Sequence, residues 1–331
     1  MSVTSKRLRS PAGVWLFFSA NSLFSRQYQE ASRLFCRYQT DMPSVLADFV
    51  AHVSVEQTEW EHPTKARILL NEAQLVIAKS EDDKIILAHD QIFDITLDTL
   101  PPFVDPLPGT PVTVAYEQQG RRTTAVIAAP ERTAHKFQTV LFKAILNGTY
   151  TKLKHPEKVG GRVLNTDFCA GLLSLETDCV KIDTEEGPVI ISLDSVIDFS
   201  REQRPIDGTD RPAIVVSHMN DGEAMTTAAA VESARKLSLL GRYLRQQYQP
   251  LLDSLRQLTL SEQETEALTT IYTVGDTEVS LPSVLQTDPK RAKQLLQALH
   301  SKALIESGQH GPVLTAKGQI VVNEYLERVN E

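Results

Sequence analysis

The residues best suited to polar recognition lie in one stretch near the middle of the chain. RKLSLLGRYLR at 235–245 contains five candidates, which are Arg235, Lys236, Arg242, Tyr243 and Arg245. Arginine forks bind carboxylates, and arginine and tyrosine are favoured anchors at protein interfaces. The stretch therefore predicts a protein-binding helix face. A solvated helix face is an equally open interpretation, and a lipid-headgroup site is a weaker third.

Other polar residues give fewer indications of chemistry. Of eight scattered histidines, only His218, beside Met219 near a hairpin, is a candidate, and a structural role is the simpler interpretation. DQIFDI at 90–95 and DSVIDF at 194–199 could supply paired catalytic carboxylates, but a duplicated strand explains both. The sequence contains no phosphate-binding glycine loop, HExxH or GxSxG motif. We therefore expect no enzyme activity, catalytic residue, metal or cofactor.

Length and composition set the wider limits. A chain of 331 residues predicts two or three domains, and its net charge of -8 argues against whole-protein attraction to nucleic acid or anionic lipid. Three cysteines without a CxxC pair predict reduced, cytosolic thiols. No run of about 18 apolar residues occurs, so we expect no membrane span.

Residues 1–41 differ in composition from the rest. They carry seven of the 21 aromatic residues, and six basic residues against two acidic ones. KRLR before AGVWLFFSA resembles a signal peptide, but the apolar stretch is short and interrupted. We expect an N-terminal extension that is either disordered or a start-site artefact, with translation beginning at Met42.

Short alternating apolar runs after Met42 predict antiparallel strands. The runs are ARILL, QLVIA, KIILA, DQIFDI, PVTVAYE and TTAVIAA. Pro130 then suits the start of a helix, apolar residues from Phe137 to Ile145 share one face, and Asn147-Gly148 suits its end. These features predict a first module at 42–150.

The same order returns about a hundred residues later, in the runs LLSLE, CVKID, PVIIS, DSVIDF, PAIVVSHM and AMTTAAA. A long helix is predicted from about Val231 to Tyr248, interrupted at its far end by Pro250. The pattern predicts two tandem pleckstrin-homology-like β-barrel modules, each closed by a helix, with the second at 151–256. In the repeated motif we expect the apolar side chains to point inward and the aspartates to face water or a turn.

The remaining segment, 257–331, has a different pattern. Ser261 and Glu264 form a capping box before one amphipathic helix, and Thr287-Asp-Pro289 begins another. ALIES and PVLTAKG predict a hairpin, and QIVVNEYLERV a closing helix. This order predicts a winged helix-turn-helix domain, which makes the chain an α+β multidomain protein.

The predicted winged helix raises the question of DNA binding. Its basic face would consist of Lys290, Arg291 and Lys293 on the second helix. However, residues 258–331 contain six basic and ten acidic residues, whereas duplex binding favours a basic surplus. Protein docking is therefore the preferred hypothesis, and nucleic acid is not an expected partner.

Four longer strings resemble the archaeal taxis protein family CheF. They are KHPEKVGGRV at 154–163, RPAIVVSHMNDGEAMTT at 211–227, RKLSLLGRYLRQQY at 235–248 and VVNEYLERVN at 321–330. The resemblance spans nearly all of 44–331 and leaves out residues 1–41.

The resemblance implies a cytoplasmic, non-enzymatic adaptor at the base of the archaellum motor. Its expected partners are phosphorylated CheY, CheD, CheC-type proteins and the archaellum accessory proteins FlaCE and FlaD. It implies no small-molecule substrate, and membrane contact only through the motor. The resemblance assigns no binding residue, so docking of CheY at 235–245 is our hypothesis. The alternative is a winged-helix transcription regulator with a two-barrel sensor, which salt-dependent binding to duplex DNA would distinguish.

Overall fold

A computed structural model describes residues 44–330, apart from positions 57, 59, 61–62, 103, 275–287 and 309–310. The predicted extension at 1–41, including Cys36, lies outside the described residues. The described part combines two large antiparallel sheets with five helices. None of these helices is long and apolar enough to cross a membrane.

The first sheet contains seven strands in the order β4-β3-β2-β1-β7-β6-β5. The strands are β1 (Val45–Val55), β2 (Thr64–Asn71), β3 (Gln74–Ala78), β4 (Lys84–Ala88), β5 (Ile92–Leu97), β6 (Thr110–Gln118) and β7 (Arg121–Ala129). Helix α1 (Glu131–Leu146) follows and buries Phe137, Leu141 and Ile145. The six predicted strands and the predicted helix are confirmed.

The second sheet repeats this order as β12-β11-β10-β8-β15-β14-β13. An additional short strand, β9, pairs with β8 and stands outside this order. The strands are β8 (Thr149–Val159), β9 (Arg162–Val163), β10 (Cys169–Leu175), β11 (Cys179–Thr184), β12 (Gly187–Ser192), β13 (Val196–Ile206), β14 (Thr209–Asn220) and β15 (Glu223–Val231). Without β9, each strand occupies the place of its counterpart in the first sheet. The sequence repeat is therefore a repeat of sheet topology.

The repeated Asp motif forms the same local structure in both copies. Short 3-10 turns at His89–Gln91 and Leu193–Ser195 lead into β5 and β13. Both strands shift register immediately afterwards, between Ile92 and Asp94 and between Val196 and Asp198. Such a shift is the mark of a β-bulge, which bends a strand and increases its twist. The motif therefore specifies a turn and a bulged edge strand.

The aliphatic side chains of this motif point inward, as expected. The buried residues are Ile92, Ile95, Val196 and Ile197. Phe93 and Phe199 are half-buried, and Phe199 packs against the apolar core. A bulge re-aims the side chains beside it, which explains why the two rings are less buried than the aliphatic residues.

Helix α2 (Ala234–Arg256) extends beyond its predicted end. The Ser233 side chain accepts a hydrogen bond from the Lys236 N–H and caps the start. Pro250 lies inside the helix, so the prediction that it interrupts the far end was wrong. Proline removes one backbone hydrogen bond, but tertiary packing can outweigh that loss. Beyond it, Leu251 and Leu255 pack against the C-terminal segment.

The C-terminal segment contains the predicted helices and hairpin in the predicted order. They are α3 (Glu262–Val274), α4 (Pro289–Ser301), β16 (Ile305–Ser307), β17 (Pro312–Leu314) and α5 (Ala316–Asn330). The capping box is confirmed: the Ser261 N–H donates to the Glu264 carboxylate at 2.8 Å, and the Glu264 N–H donates to Ser261 Oγ at 3.3 Å. Helix α4 begins at Pro289, within the predicted start, and the Asp288 side chain caps it; Thr287 lies outside the described residues.

One continuous apolar core joins the two sheets. It includes residues of both sheets together with α1 and α2. Phe142 of α1 meets Tyr243 of α2 edge to face, with ring centroids 5.6 Å apart. The C-terminal segment has a separate core, and a small cluster of Ile197, Ala316 and Ile320 joins α5 to β13. The domain boundaries at 150 and 256 stay a prediction.

Because the two sheets share this core, we expect them to unfold together. Phe142→Ala removes a fully buried ring where α1 meets α2, which should cost about 3–5 kcal/mol. Calorimetry of the full chain should show both sheets unfolding in one transition, at a lower temperature than in the unchanged protein. Lys136→Ala, exposed on the same helix, should change stability by less than about 0.5 kcal/mol. Two transitions, with only one shifted, would contradict a shared core.

Candidate protein-binding groove

Arg235 lies in the first turn of α2 but bonds to the first module. Its Nη1 donates to the carbonyl oxygens of His89 at 2.9 Å and Ile92 at 2.7 Å. Those carbonyls belong to the 3-10 turn and the first residue of β5. The guanidinium is half-buried and joins the second module's helix to the first module's edge strand.

Lys236 and Tyr243 are also engaged within the fold. Lys236 Nζ donates to Thr149 Oγ1 at 3.0 Å and pairs with Glu232 at 2.7 Å. Tyr243 is 1% exposed, and burial raises the pKa of its phenol. A partner on the surface cannot reach this side chain.

Arg242 and Arg245 are the accessible cations of α2. Arg242 makes two parallel bonds to Asp94 of β5, from Nε to Oδ1 at 3.0 Å and from Nη2 to Oδ2 at 2.9 Å. The two side chains are 41% and 35% exposed. Arg245 lies almost one turn further along, is exposed, and has no polar partner among the described residues.

A groove of about 410 Å³ runs beside these arginines. Residues of β5 and β13, the two copies of the repeated strand, line it together with residues of α2 and Ile214 of β14. Phe93 and Phe199 are among them, and Arg201 of β13 adds a third cation. Arg201 is exposed and, within the described chain, unpaired. The groove therefore combines two aromatic rings with three arginines and one carboxylate, that of Asp94.

A second, larger depression of about 830 Å³ lies on the other side of Arg242 and Arg245. Glutamine side chains of α1 and α2 line much of it, and Gln246 donates an amide hydrogen bond to Gln138 across it. Arg242 and Arg245 line both depressions and form the ridge between them.

His218 lies away from this groove, in the interior of the second sheet. It is 2% exposed, and its Nε2 lies 3.0 Å from Thr227 Oγ1. His155 Nδ1 lies 2.7 Å from the same hydroxyl, and the two imidazole rings stack with centroids 5.9 Å apart. Burial, with a smaller effect of His155, lowers the pKa of His218 to about 4. Burial also lowers the pKa of His155. The structure thus places buried His218 in a stacked pair with half-buried His155.

The predicted basic face of α4 is exposed to solvent. Lys290, Arg291 and Lys293 are all exposed. Arg291 donates from Nε and Nη2 to Gln263 Oε1 at 3.2 and 2.6 Å. Lys293 lines a cavity of about 430 Å³ between α4 and the β16–β17 hairpin. These cations stand apart from the arginines of α2.

Sequence reasoning missed three members of the groove. Phe93 and Phe199 were marked only as parts of a repeated strand, and Arg201 was not singled out. The repeated motif is the sequence signal that could have found the two phenylalanines. It places equivalent half-buried aromatic residues on two edge strands, and such residues indicate a surface shared by the two copies. The sequence does not show that the two copies face each other across α2.

Comparison with known proteins identifies the family. The model described as "Archaeal Chemotaxis signal transduction system protein F" matches residues 45–250. The chain is 34% identical over 287 residues to "Taxis protein CheF2" of Halobacterium salinarum, covering 87% of this chain and 99% of that protein. It is 23% identical over 194 residues to "Taxis protein CheF1" of the same organism, covering 57% and 65%.

The chain belongs to the archaeal CheF family. It is therefore an archaeal chemotaxis signal transduction protein, and the resemblance noted in its sequence is confirmed. The matched range of the CheF model contains both sheets and every residue that lines the groove. Elements α3 to α5 lie beyond that range.

In this CheF protein, Arg235 should contribute measurably to stability. Arg235→Ala removes two charged hydrogen bonds to carbonyls, and we expect a loss of about 1–3 kcal/mol in chemical denaturation. Arg245→Ala, on the same helix without a partner, should change stability by less than about 0.5 kcal/mol. Equal losses of stability in the two variants would show that the Arg235 hydrogen bonds do not hold the two modules together.

Buried His218 should make CheF less stable in acid. The folded-state pKa of His218, about 4, lies below the ordinary value of 6.5, so the unfolded chain takes up this proton first as the pH falls. The stability linked to neutral His218 is complete above pH 6.5. It is lost between pH 6.5 and about 4, in total about 3 kcal/mol.

His218→Gln should flatten this profile, because glutamine does not titrate and can still bond Thr227. Denaturation of both proteins between pH 4 and 8 measures the difference. Parallel profiles for the two proteins would assign the acid sensitivity to other groups.

Proposed function

We propose that this CheF protein is a non-enzymatic adaptor of the archaellum. It receives the signal from phosphorylated CheY, together with CheD and CheC-type proteins, and passes it to the accessory proteins FlaCE and FlaD. Its place is the cytoplasmic side of the motor base, with membrane contact only through the motor. Membership of the CheF family, over the range that contains both sheets, is the observation that carries this proposal.

We also infer the fold types of the modules. Each seven-stranded order with one following helix fits a pleckstrin-homology-like split barrel. The order helix, helix, hairpin, helix at 262–330 fits a winged helix, used here for protein docking. These are folds that present side-chain surfaces to other macromolecules.

The fixed geometry of the modules suits an adaptor. Helix α2 is held to β5, and α5 is packed on β13. The surfaces of both sheets and of the C-terminal segment therefore keep a fixed spacing. When two partners bind one rigid body, the second binding event gains from effective concentration, so a receiver and a motor component can be held together.

Phosphorylated CheY docks, in this proposal, on the second module at the ridge formed by Arg242 and Arg245. Arg245 and Arg201 have guanidiniums that no described residue engages, and Phe199 adds an aromatic surface beside them. Arginine and aromatic side chains dominate the binding energy of many interfaces. Arg245, Arg201 and Phe199 all line the same groove, so both kinds of side chain lie on one surface.

The DNA-binding alternative has one observation in its favour, the exposed Lys290, Arg291 and Lys293 of α4. The acidic balance of the C-terminal segment counts against it. Membership of a chemotaxis signalling family gives it no support. Protein docking remains the proposed role of this segment.

The docking site can be tested by capture on immobilised, phosphorylated CheY. Arg245→Glu should reduce capture of the full chain about tenfold, because it places a like charge at an acidic interface. Arg242→Glu with Arg245→Glu should abolish capture, although the pair also breaks the Asp94 contact. Lys290→Glu with Lys293→Glu provides the matched control and should leave capture unchanged.

The outcomes separate the site from the role. If only the α4 control variant loses capture, the docking site of CheY lies on the C-terminal segment and not on α2. Co-purification of FlaCE and FlaD with the tagged protein from motile cells tests the adaptor role itself. Failure to recover either partner with the intact chain would contradict that role.

A further inference from the structure

The groove between β5 and β13 has a charge opposite to that of the whole protein. Arg201, Arg242 and Arg245 face one carboxylate there, while the chain carries a net charge of -8. Two of the three guanidiniums have no partner in the described part of the chain. Arginine forks bind carboxylates with two parallel hydrogen bonds, so the groove is suited to an acidic ligand.

The size and walls of the groove limit the form of that ligand. A volume of about 410 Å³ holds a few side chains and excludes a whole domain. The rings of Phe93 and Phe199 line the groove and are half-buried, with the Arg122 guanidinium 5.1 Å from the centre of the Phe93 ring and Tyr248 edge to face with Phe199. Aromatic walls gain most from covering an apolar side chain, so an extended segment with both acidic and apolar residues fits best.

Charge complementarity also discriminates among possible occupants. The chain's own residues 1–41 carry six basic residues and two acidic ones, so they would be repelled. An acidic segment from a partner protein satisfies both the arginines and the rings. Among the possible occupants, it is the one that matches both the positive charge of the groove and its aromatic lining.

Asp94 already shows how such a ligand would bind. Its carboxylate makes the two-bond contact with Arg242 that a ligand carboxylate would make, and this pair lies at the groove wall, 35–41% exposed. Exposed ion pairs contribute only about 0–1 kcal/mol, so exchange of one carboxylate for another costs little.

We propose that this groove binds an acidic, apolar-containing segment of a partner protein, and that Asp94 occupies the place of one of its carboxylates until it binds. The inference rests on the proposed adaptor role and specifies the chemistry of one partner. It makes Asp94 a competitor of the ligand, a role that a purely structural residue would not have.

A labelled peptide tests the groove directly. The probe is a fluorescein-labelled decapeptide of glutamates that flank one phenylalanine and one leucine, and the control peptide has lysine in place of glutamate. Fluorescence anisotropy with the full chain should show binding of the acidic peptide only, weakening as salt screens the charges. Arg201→Glu and Arg245→Glu should each weaken it about tenfold.

Asp94→Asn should strengthen peptide binding severalfold, because it removes the competing charge while an amide oxygen can still accept from Arg242. Arg162→Glu, an exposed site on β9 outside the groove, should leave binding unchanged. Inorganic phosphate at equal ionic strength should not displace the peptide, since it cannot cover the rings.

Several results would overturn the proposal. The first is that the acidic peptide does not bind, and the second is that Arg162→Glu weakens its binding as much as Arg201→Glu and Arg245→Glu do. The third is that Asp94→Asn binds the peptide more weakly. The fourth is that phosphate alone displaces the peptide, which would indicate a simple anion site. Capture by phosphorylated CheY and recovery of FlaCE and FlaD do not depend on this peptide. Failure of the groove and failure of the adaptor role are therefore distinguishable.

Discussion

Helix α2 belongs in sequence to the second module, yet two of its arginines bind the first. Arg235 satisfies two carbonyls where the chain turns into β5, and Arg242 holds Asp94 on the same strand. The apolar side of the helix enters the shared core through Tyr243. Because one helix carries both contacts, the two sheets cannot move apart without breaking the core, and the groove between them depends on this attachment.

The same edge of the module is used twice. In the first copy β5 receives α2, and in the second copy β13 receives α5 through Ile197, Ala316 and Ile320. Tyr248 of α2 also donates to the Ile197 carbonyl. The repeated motif therefore marks a strand on which a later helix docks. The chemistry differs between copies, because the first contact adds arginine pairs to its packing and the second is mostly apolar. The place of attachment is the same in both copies, but its side chains differ.

Regular alternation made most strands predictable, but two kinds of feature were not. Strand β8 buries Thr149 and Thr151 and contains Pro156, so its inward face does not look apolar. Cation types on α2 identified Arg235 and Arg242 as special. Their partners, however, lie 143 to 148 positions away, and local patterns cannot show that distance. Residue type alone also could not separate buried tyrosine and histidine from exposed ones.

The ion pair between Arg242 and Asp94 is weaker than the packing of the shared core, and this difference has a functional consequence. A half-exposed pair such as that of Arg242 and Asp94 contributes about 0–1 kcal/mol, whereas a buried aromatic contact such as that of Phe142 and Tyr243 contributes several times more. The core therefore keeps the two sheets together whether or not the ion pair is formed. A partner can then compete for the arginine without unfolding the protein, which is what a surface that repeatedly binds and releases partners requires.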